Sequence, residues 1–383
     1  MKFASIVKAG ICLVVAVSTH FCVIAQPVKN NGPLLYSTNF SSGIPLTDFV
    51  NPGNWVATKG GVTSTATGLT NYLMLFRQYS INNRTGAVRV NMGKDTKFNF
   101  FTVEMDNFHM WGTLVQADVA NGLFKVYANY NADSAAYPPV LINHPYKFIP
   151  GRDYTIAINY ASRVNKFIIT DHATGLSDTI ADTGGTSSGL VRDGFAMATE
   201  SGTPPVVKSM TVSTGYPKGI KILYMGDSIT EGLFMVPDAF TQHGKAAISG
   251  RSSGTVSGVQ NRVWSELAYL KPKYVSILIG TNGSNTVANL TNLCQSIMRL
   301  GITPILNNIP WKAPAPVVAD NAIITQVRKN LNLKGARFDV ATSVDQLNLQ
   351  QDTTIFADGV HPTAEGVHRM YRQLQNDVPE LFK

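Results

Sequence analysis

Four short stretches of the chain hold residue types that can do chemistry together. Gly226-Asp227-Ser228-Ile229-Thr230 sets a serine directly after an apolar run, Ile220 to Met225. Asp358-Gly359-Val360-His361 sets a histidine three residues after an aspartate. A serine hydroxyl becomes a nucleophile only when a base takes its proton, and imidazole is the natural base. The other ring N–H of that imidazole needs an acceptor to orient it, which Asp358 can supply. The tetrahedral oxyanion that follows attack on an acyl group needs donors. Candidates are the backbone N–H groups of Ser228 and of Gly250, in Ser249-Gly250-Arg251, and the side-chain amide of Asn282, in Gly280-Thr281-Asn282-Gly283. This is acyl-transfer chemistry, with Ser228, His361 and Asp358 as catalytic residues. It implies no metal and no cofactor.

Such residues converge only if the fold brings them to one rim. Ile220–Met225, Ala246–Ile248, Tyr274–Ile279 and Ile302–Ile305 are short apolar runs of the kind buried parallel strands require. Helical stripes lie between and after them: Val287, Leu290, Cys294 and Ile297; Ile324, Val327 and Leu331; Val367, Met370, Tyr371 and Leu374. Strands alternating with helices predict a doubly wound, three-layer α/β fold, whose active sites form at the carboxyl ends of the strands. All four stretches fall near predicted strand ends or helix starts. Thr363 is the predicted N-cap of the last helix.

Residues 26–215 follow another period. Runs such as Ala87–Val90, Phe98–Val103, Phe124–Tyr127 and Tyr154–Ile158 are separated by turn pairs such as Asn121-Gly122 and Pro150-Gly151. Phe167–Asp171 and Asp178–Ile180, around Thr174-Gly175, predict a hairpin. This pattern predicts an all-β sandwich, loosely similar to concanavalin-like jelly rolls. The boundary with residues 216–383 is placed near 215.

Gly226-Asp227-Ser228, Gly250, Gly280-Thr281-Asn282 and Asp358-x-x-His361 occur in the order in which the SGNH (GDSL-type) hydrolases carry them. The chain resembles that family over roughly residues 219–383. The resemblance implies Ser228 as nucleophile, Ser228, Gly250 and Asn282 as the oxyanion hole, and Asp358 and His361 as triad partners. One position departs: the family often has Asp after the asparagine, where this chain has Gly283. Some two-domain carbohydrate acetylesterases join a jelly roll to such a hydrolase, so the resemblance points to small acyl groups, acetyl above all, on carbohydrate. Two other readings stay open: a lipase, lysophospholipase or thioesterase acting on longer chains, and a carbohydrate-binding protein whose hydrolase part is inert.

Asp227, Arg251 and Trp311 border the same rim and are candidate substrate contacts, Arg251 for anions and Trp311 for stacking on a sugar or for packing. Glu104-Met105-Asp106-Asn107-Phe108-His109 partly resembles the strand of jelly-roll glucanases that carries two glutamates, but His109 replaces the second. Paired-carboxylate hydrolysis therefore lacks its acid. His144, His172, His243 and His368 have no partner legible in the sequence.

Composition sets the outer limits. With 383 residues, 44% of them hydrophobic and 15% charged, the chain can bury a core and has length for two domains. Residues 1–25, with Lys2, Lys8 and an apolar stretch from Ala9 to Ser18, read as a secretory leader, so the protein is expected to be exported, periplasmic or secreted. No later run is apolar enough to span a membrane. Beyond Cys12 and Cys22 the chain has only Cys294, so no internal disulfide is expected, and its helical neighbours predict burial. The net charge is +8. Lys2 and Lys8 carry two of those charges and no dense basic run holds the rest, so a nucleic-acid partner is not expected. The mild positive bias of residues 216–383 would favour an acidic polysaccharide among acylated carbohydrates.

Overall fold

The computed structural model describes residues 33–103, 111–131, 137–161, 164–182, 193–241, 245–312, 317–345 and 350–383. The leader over residues 1–25, the stretch Glu104–His109 and His243 lie outside the described residues.

Residues 34–214 carry strands β1 (Leu34–Asn39) to β15 (Val206–Thr214) in two antiparallel sheets. One sheet has β6 (Arg84–Asn91) between β11 (Asp153–Tyr160) and β15. The other has β7 (Lys97–Val103) between β8 (Trp111–Asp118) and β14 (Gly194–Ser201). Alternation decides which side chains turn inward. Val88 and Val90 of β6, Phe98 and Phe100 of β7 and Phe195 and Met197 of β14 all enter one buried core. Phe100 and Phe195 stack there with ring centroids 5.8 Å apart. The hairpin around Gly175 forms as β12 (Lys166–Asp171) and β13 (Ser177–Ala181), with Phe167 opposite Ile180. His144 does have a partner, Asp178, at 2.8 Å. Their spacing of 34 residues hides the pair from a reading of local sequence.

After Thr214 the chain changes period. Strands β16 (Ile222–Gly226), β17 (Ala246–Gly250), β18 (Tyr274–Leu278) and β19 (Thr303–Leu306) form a parallel sheet in the order β17-β16-β18-β19. That order reverses direction between β16 and β18, the switch point where such sheets open a crevice. The helices are α1 (Ser228–Glu231), α2 (Pro237–Thr241), α3 (Val256–Leu270), α4 (Val287–Arg299), α5 (Val318–Leu331), α6 (Phe338–Ala341) and α7 (Ala364–Asp377). Tyr224 of β16 meets Phe240 of α2, Phe240 meets Tyr371 of α7, and Tyr371 meets Phe382, each pair edge to face. Cys294 is fully buried in α4, and burial pushes its thiol up to about 12.

The two halves are fused. A single apolar cluster runs from Leu35 to Leu381 through both. Between them lies the segment 78–84, whose Gln78, Tyr79, Ser80, Ile81, Asn82 and Arg84 are all buried. A buried loop must find partners for its backbone. Here Ser80 N and Ile81 N donate to Glu266 Oε1 of α3. Asn82 N donates to Ile248 O at 2.9 Å, and Ile248 N to Asn82 Oδ1 at 3.2 Å. Ile81 also bridges Ser249. The edge strand of the parallel sheet is thus closed by the β-rich half.

Candidate active site

Ser228 follows β16 by two residues. Asp227, in extended conformation, caps α1 by accepting from Ile229 N at 3.0 Å. The helix is a single turn that continues as a 3₁₀ turn over Gly232–Met235. So short a helix has little macrodipole to offer the serine.

His361 stands on a loop closed by its neighbours. Ala357 N donates to His361 O at 2.9 Å, and Thr363 N to Ile355 O at 2.8 Å. Thr363 caps α7 through Gly366 N, as its sequence predicts. Asp358 folds back on the same loop: Val360 N and His361 N donate to its Oδ1 at 3.0 and 2.8 Å. Its Oδ2 lies 2.7 Å from His361 Nδ1, and His361 Nε2 lies 2.9 Å from Ser228 Oγ. A carboxylate, an imidazole and a hydroxyl thus form one line across 133 residues of sequence. The backbone and ring donors of His361 and Val360 N hold the Asp358 carboxyl well below the usual carboxylate range. It stays an anion wherever the imidazole can act.

The oxyanion candidates lie around the serine. Gly250 ends β17, in register with Gly226. A Cβ on Gly250 would fall 2.1 Å from Glu231 N, so only glycine lets that rim press against α1. Asn282 lies on the loop after β18, exposed, and its Nδ2 donates to Gly254 O at 3.0 Å. An amide has two N–H bonds, and the second is available to a substrate oxygen. Gly283, the departure from the family pattern, has φ 93° and closes a turn by donating to Gly280 O at 3.2 Å. Its conformation suits glycine better than aspartate.

The three candidate substrate contacts are corrected. Asp227 is fully buried and serves as the cap. Burial pushes its carboxyl up to about 6, against hydrogen bonds from Ile229, Thr281 and Thr230. Arg251 is 6% exposed and pairs through Nε with Asp193 Oδ2 at 3.3 Å, so it faces the β-rich half rather than a substrate anion. Trp311 is 6% exposed and packs with Ile355 and Phe356. Phe356 bridges Pro362, so Trp311 backs the histidine loop and offers no open face for a sugar.

Sequence reading missed the residues that hold this rim. Arg262 of α3, 1% exposed, donates from Nη2 to Gly226 O at 3.0 Å. Glu231 accepts from Ser252 Oγ at 2.9 Å and from the Tyr160 hydroxyl of the β-rich half. The only available signal was a buried-type helical position occupied by a charge, as at Arg262 and Glu266. Asp193 and Tyr160 gave none, because their partners lie in the other half.

No protein-family model matches the chain, and no curated protein matches it. Solved structures to which it is similar include a GDSL-like lipase and an acetylxylan esterase. A GDSL-like lipase from Bacteroides thetaiotaomicron VPI-5482 is 22% identical, with a TM-score of 0.38 over 42% of this chain and 88% of that one. An acetylxylan esterase from Geobacillus stearothermophilus is 18% identical, with a TM-score of 0.35 over 42% of this chain and 94% of that one.

Proposed function

We propose that the chain is an exported serine ester hydrolase of SGNH type that removes short acyl groups, chiefly acetyl, from carbohydrate. The observation that carries the hydrolase reading is the unbroken line Ser228 Oγ–His361 Nε2, His361 Nδ1–Asp358 Oδ2. Ser228 Oγ attacks the ester carbonyl carbon while His361 Nε2 takes its proton. The carbonyl oxygen gains the negative charge and is met by Ser228 N–H, Gly250 N–H and the Asn282 amide. Collapse breaks the bond to the sugar oxygen, which leaves with the proton from His361. Water then enters and its oxygen attacks the acyl carbon as His361 takes its proton; the C–Oγ bond breaks to free the acid, and His361 returns the proton to Ser228 Oγ. Asp358 stays ionised throughout and keeps Nδ1 protonated.

The short-chain, carbohydrate part rests on the kinship of the motifs and on the openness of the site. Asp358 and His361 keep 57% and 43% of their side chains exposed, which suits an ester carried on a polymer too large to be enclosed. In this reading residues 26–215 form a jelly-roll-like domain that frames the cleft, and residues 216–383 the catalytic one. The test is acetate release from a panel of acetylated polysaccharides, with nitrophenyl esters of two to eight carbons alongside. Release that vanishes in Ser228→Ala, with two carbons preferred, supports the reading. A preference for eight carbons over two sinks its acetyl part, and wild-type turnover in Ser228→Ala sinks the whole.

A further inference from the structure

A concavity lies between the two halves, and no residue of the Ser228–His361–Asp358 line belongs to its lining. It is a cavity of about 660 Å³, walled by Phe76, Arg77 and Gln78 of the β-rich half and by Gln260, Asn261 and Trp264 of α3. Phe76 and Trp264 are 62% and 51% exposed. On α3, Gln260, Asn261 and Trp264 share the outward face, three and four residues apart, opposite the buried Val259, Val263 and Leu267.

The chemistry of this lining is selective. Arg77 Nη2 pairs with Asp48 Oδ1 at 3.1 Å, and the other oxygen of Asp48 accepts from Tyr36 OH at 3.1 Å. The Arg77 guanidinium also stands over the Tyr36 ring, 5.5 Å from its centroid. Among the described residues of the wall, the one cation is thus already neutralised, and none is left over for a phosphate or a uronate. Two accessible side-chain amides, Gln260 and Asn261, interrupt the aromatic surface, and an acyl chain would leave them unsatisfied. Large rings beside amides and a fixed ion pair match a ligand with apolar C–H faces and hydroxyl edges. Sites of this size and mixed lining are ordinary for small organic ligands.

We infer that the cleft between Phe76 and Trp264 binds a neutral saccharide segment and holds a polysaccharide chain independently of the esterase centre. The inference rests on the carbohydrate part of the proposed function but not on its chemistry. The experiment is therefore run on Ser228→Ala, which binds without turnover, by affinity electrophoresis and intrinsic tryptophan fluorescence against neutral soluble xylan, glucomannan and β-glucan. The expected result is retardation by at least one of them, weakened at least tenfold by adding Trp264→Ala and largely restored by Trp264→Tyr. Separately, Trp264→Ala alone should keep the wild-type kcat/KM on nitrophenyl acetate and its melting temperature. Three results would each overturn the inference: no retardation by any of the three glycans, retardation indifferent to Trp264→Ala, or sedimentation showing that Trp264→Ala breaks a dimer. Loss of the nitrophenyl acetate activity in the wild type would instead strike the esterase reading and leave the saccharide result standing.

Discussion

Asp358 and His361 make their bonds in the open, with 57% and 43% of their side chains exposed, while Arg251 and Asp193 make theirs at 6% and 1%. The hydrogen-bonded line Ser228–His361–Asp358, catalytic in the proposed function, lies wholly within residues 228–361. The seam joins the two halves through Arg251–Asp193, Glu266 with the backbone of Ser80 and Ile81, and Glu231 with Tyr160. In water a hydrogen bond exchanges for one to solvent, so each link of the catalytic line adds little to stability. In the seam a lost partner leaves a charge or a backbone N–H stranded. Substitutions in the two regions should therefore separate cleanly. One set removes turnover and leaves the fold, and the other loosens the fold and reaches turnover through it.

The largest separation belongs to Ser228→Ala. Loss of a triad nucleophile lowers kcat by about 10⁶-fold where such sites have been dissected. His361→Ala should match it, and neither should move the melting temperature, since both side chains reach solvent. A melting shift of more than a few degrees in either would erase the contrast. Asp358→Asn follows with about 10⁴-fold in kcat, because an amide cannot orient the imidazole in the same tautomer. Circular dichroism and active-site titration together check that this variant is folded and slow.

The seam comes next, with the opposite signature. Asp193→Ala or Arg251→Ala should each cost stability, by up to about 3–5 kcal/mol, because each removes one charge of a buried pair. Urea denaturation measures the loss. The double variant should recover part of it, and a single variant as stable as wild type would break the comparison from the seam side. Residues 216–383 expressed alone should not fold as the full chain does, because Glu266, Ile248 and Arg251 would all lose partners from the other half. Asn282→Ala returns to the catalytic line, at about 10²–10³-fold in kcat with little change in KM, as for the removal of one oxyanion donor.

The same contrast explains what the sequence made legible. Ser228, Gly250, Asn282, Asp358 and His361 could be placed at one rim because each sits near a strand end or helix start, where local pattern fixes position. The change from alternating runs to continuous apolar runs after Thr214 was equally local. Arg251, Trp311 and Asp227 misled because local sequence shows that a residue is near the rim but not which way it turns. Arg251 turns to Asp193, 58 positions earlier, and Trp311 to Ile355 and Phe356, more than 40 positions later. The seam stayed hidden for the same reason. Segment 78–84 mixes polar and apolar residues with no clear period, and the packing of one half on the other buries it. The second cleft is of this kind too, since neither Phe76 nor Trp264 signals a site until α3 is laid against the β-rich half.

The smallest prediction concerns Asp227, which belongs to both regions: it adjoins the nucleophile yet is as buried as the seam. Its carboxyl is raised from 3.8 to about 6, chiefly by burial. The folded chain therefore keeps the proton in a range where the unfolded chain has released it. Between about pH 4 and 6 the native state binds more protons, so this group's contribution to stability falls as pH rises, and above that range the loss is constant. Its full size is roughly 3 kcal/mol. An asparagine side chain cannot ionise, and its carbonyl oxygen can still accept the bond from Ile229 N. Asp227→Asn should therefore be more stable than wild type at pH 7 to 8, by up to that amount. The gap should close as pH falls below 4, where the wild-type carboxyl is neutral in both states. Urea titrations of the two proteins at each pH cancel every other ionisable group common to both. A gap that stays level from pH 4 to 8 would mean that Asp227 is solvated like the exposed Asp358, and burial would no longer divide the two regions at the nucleophile.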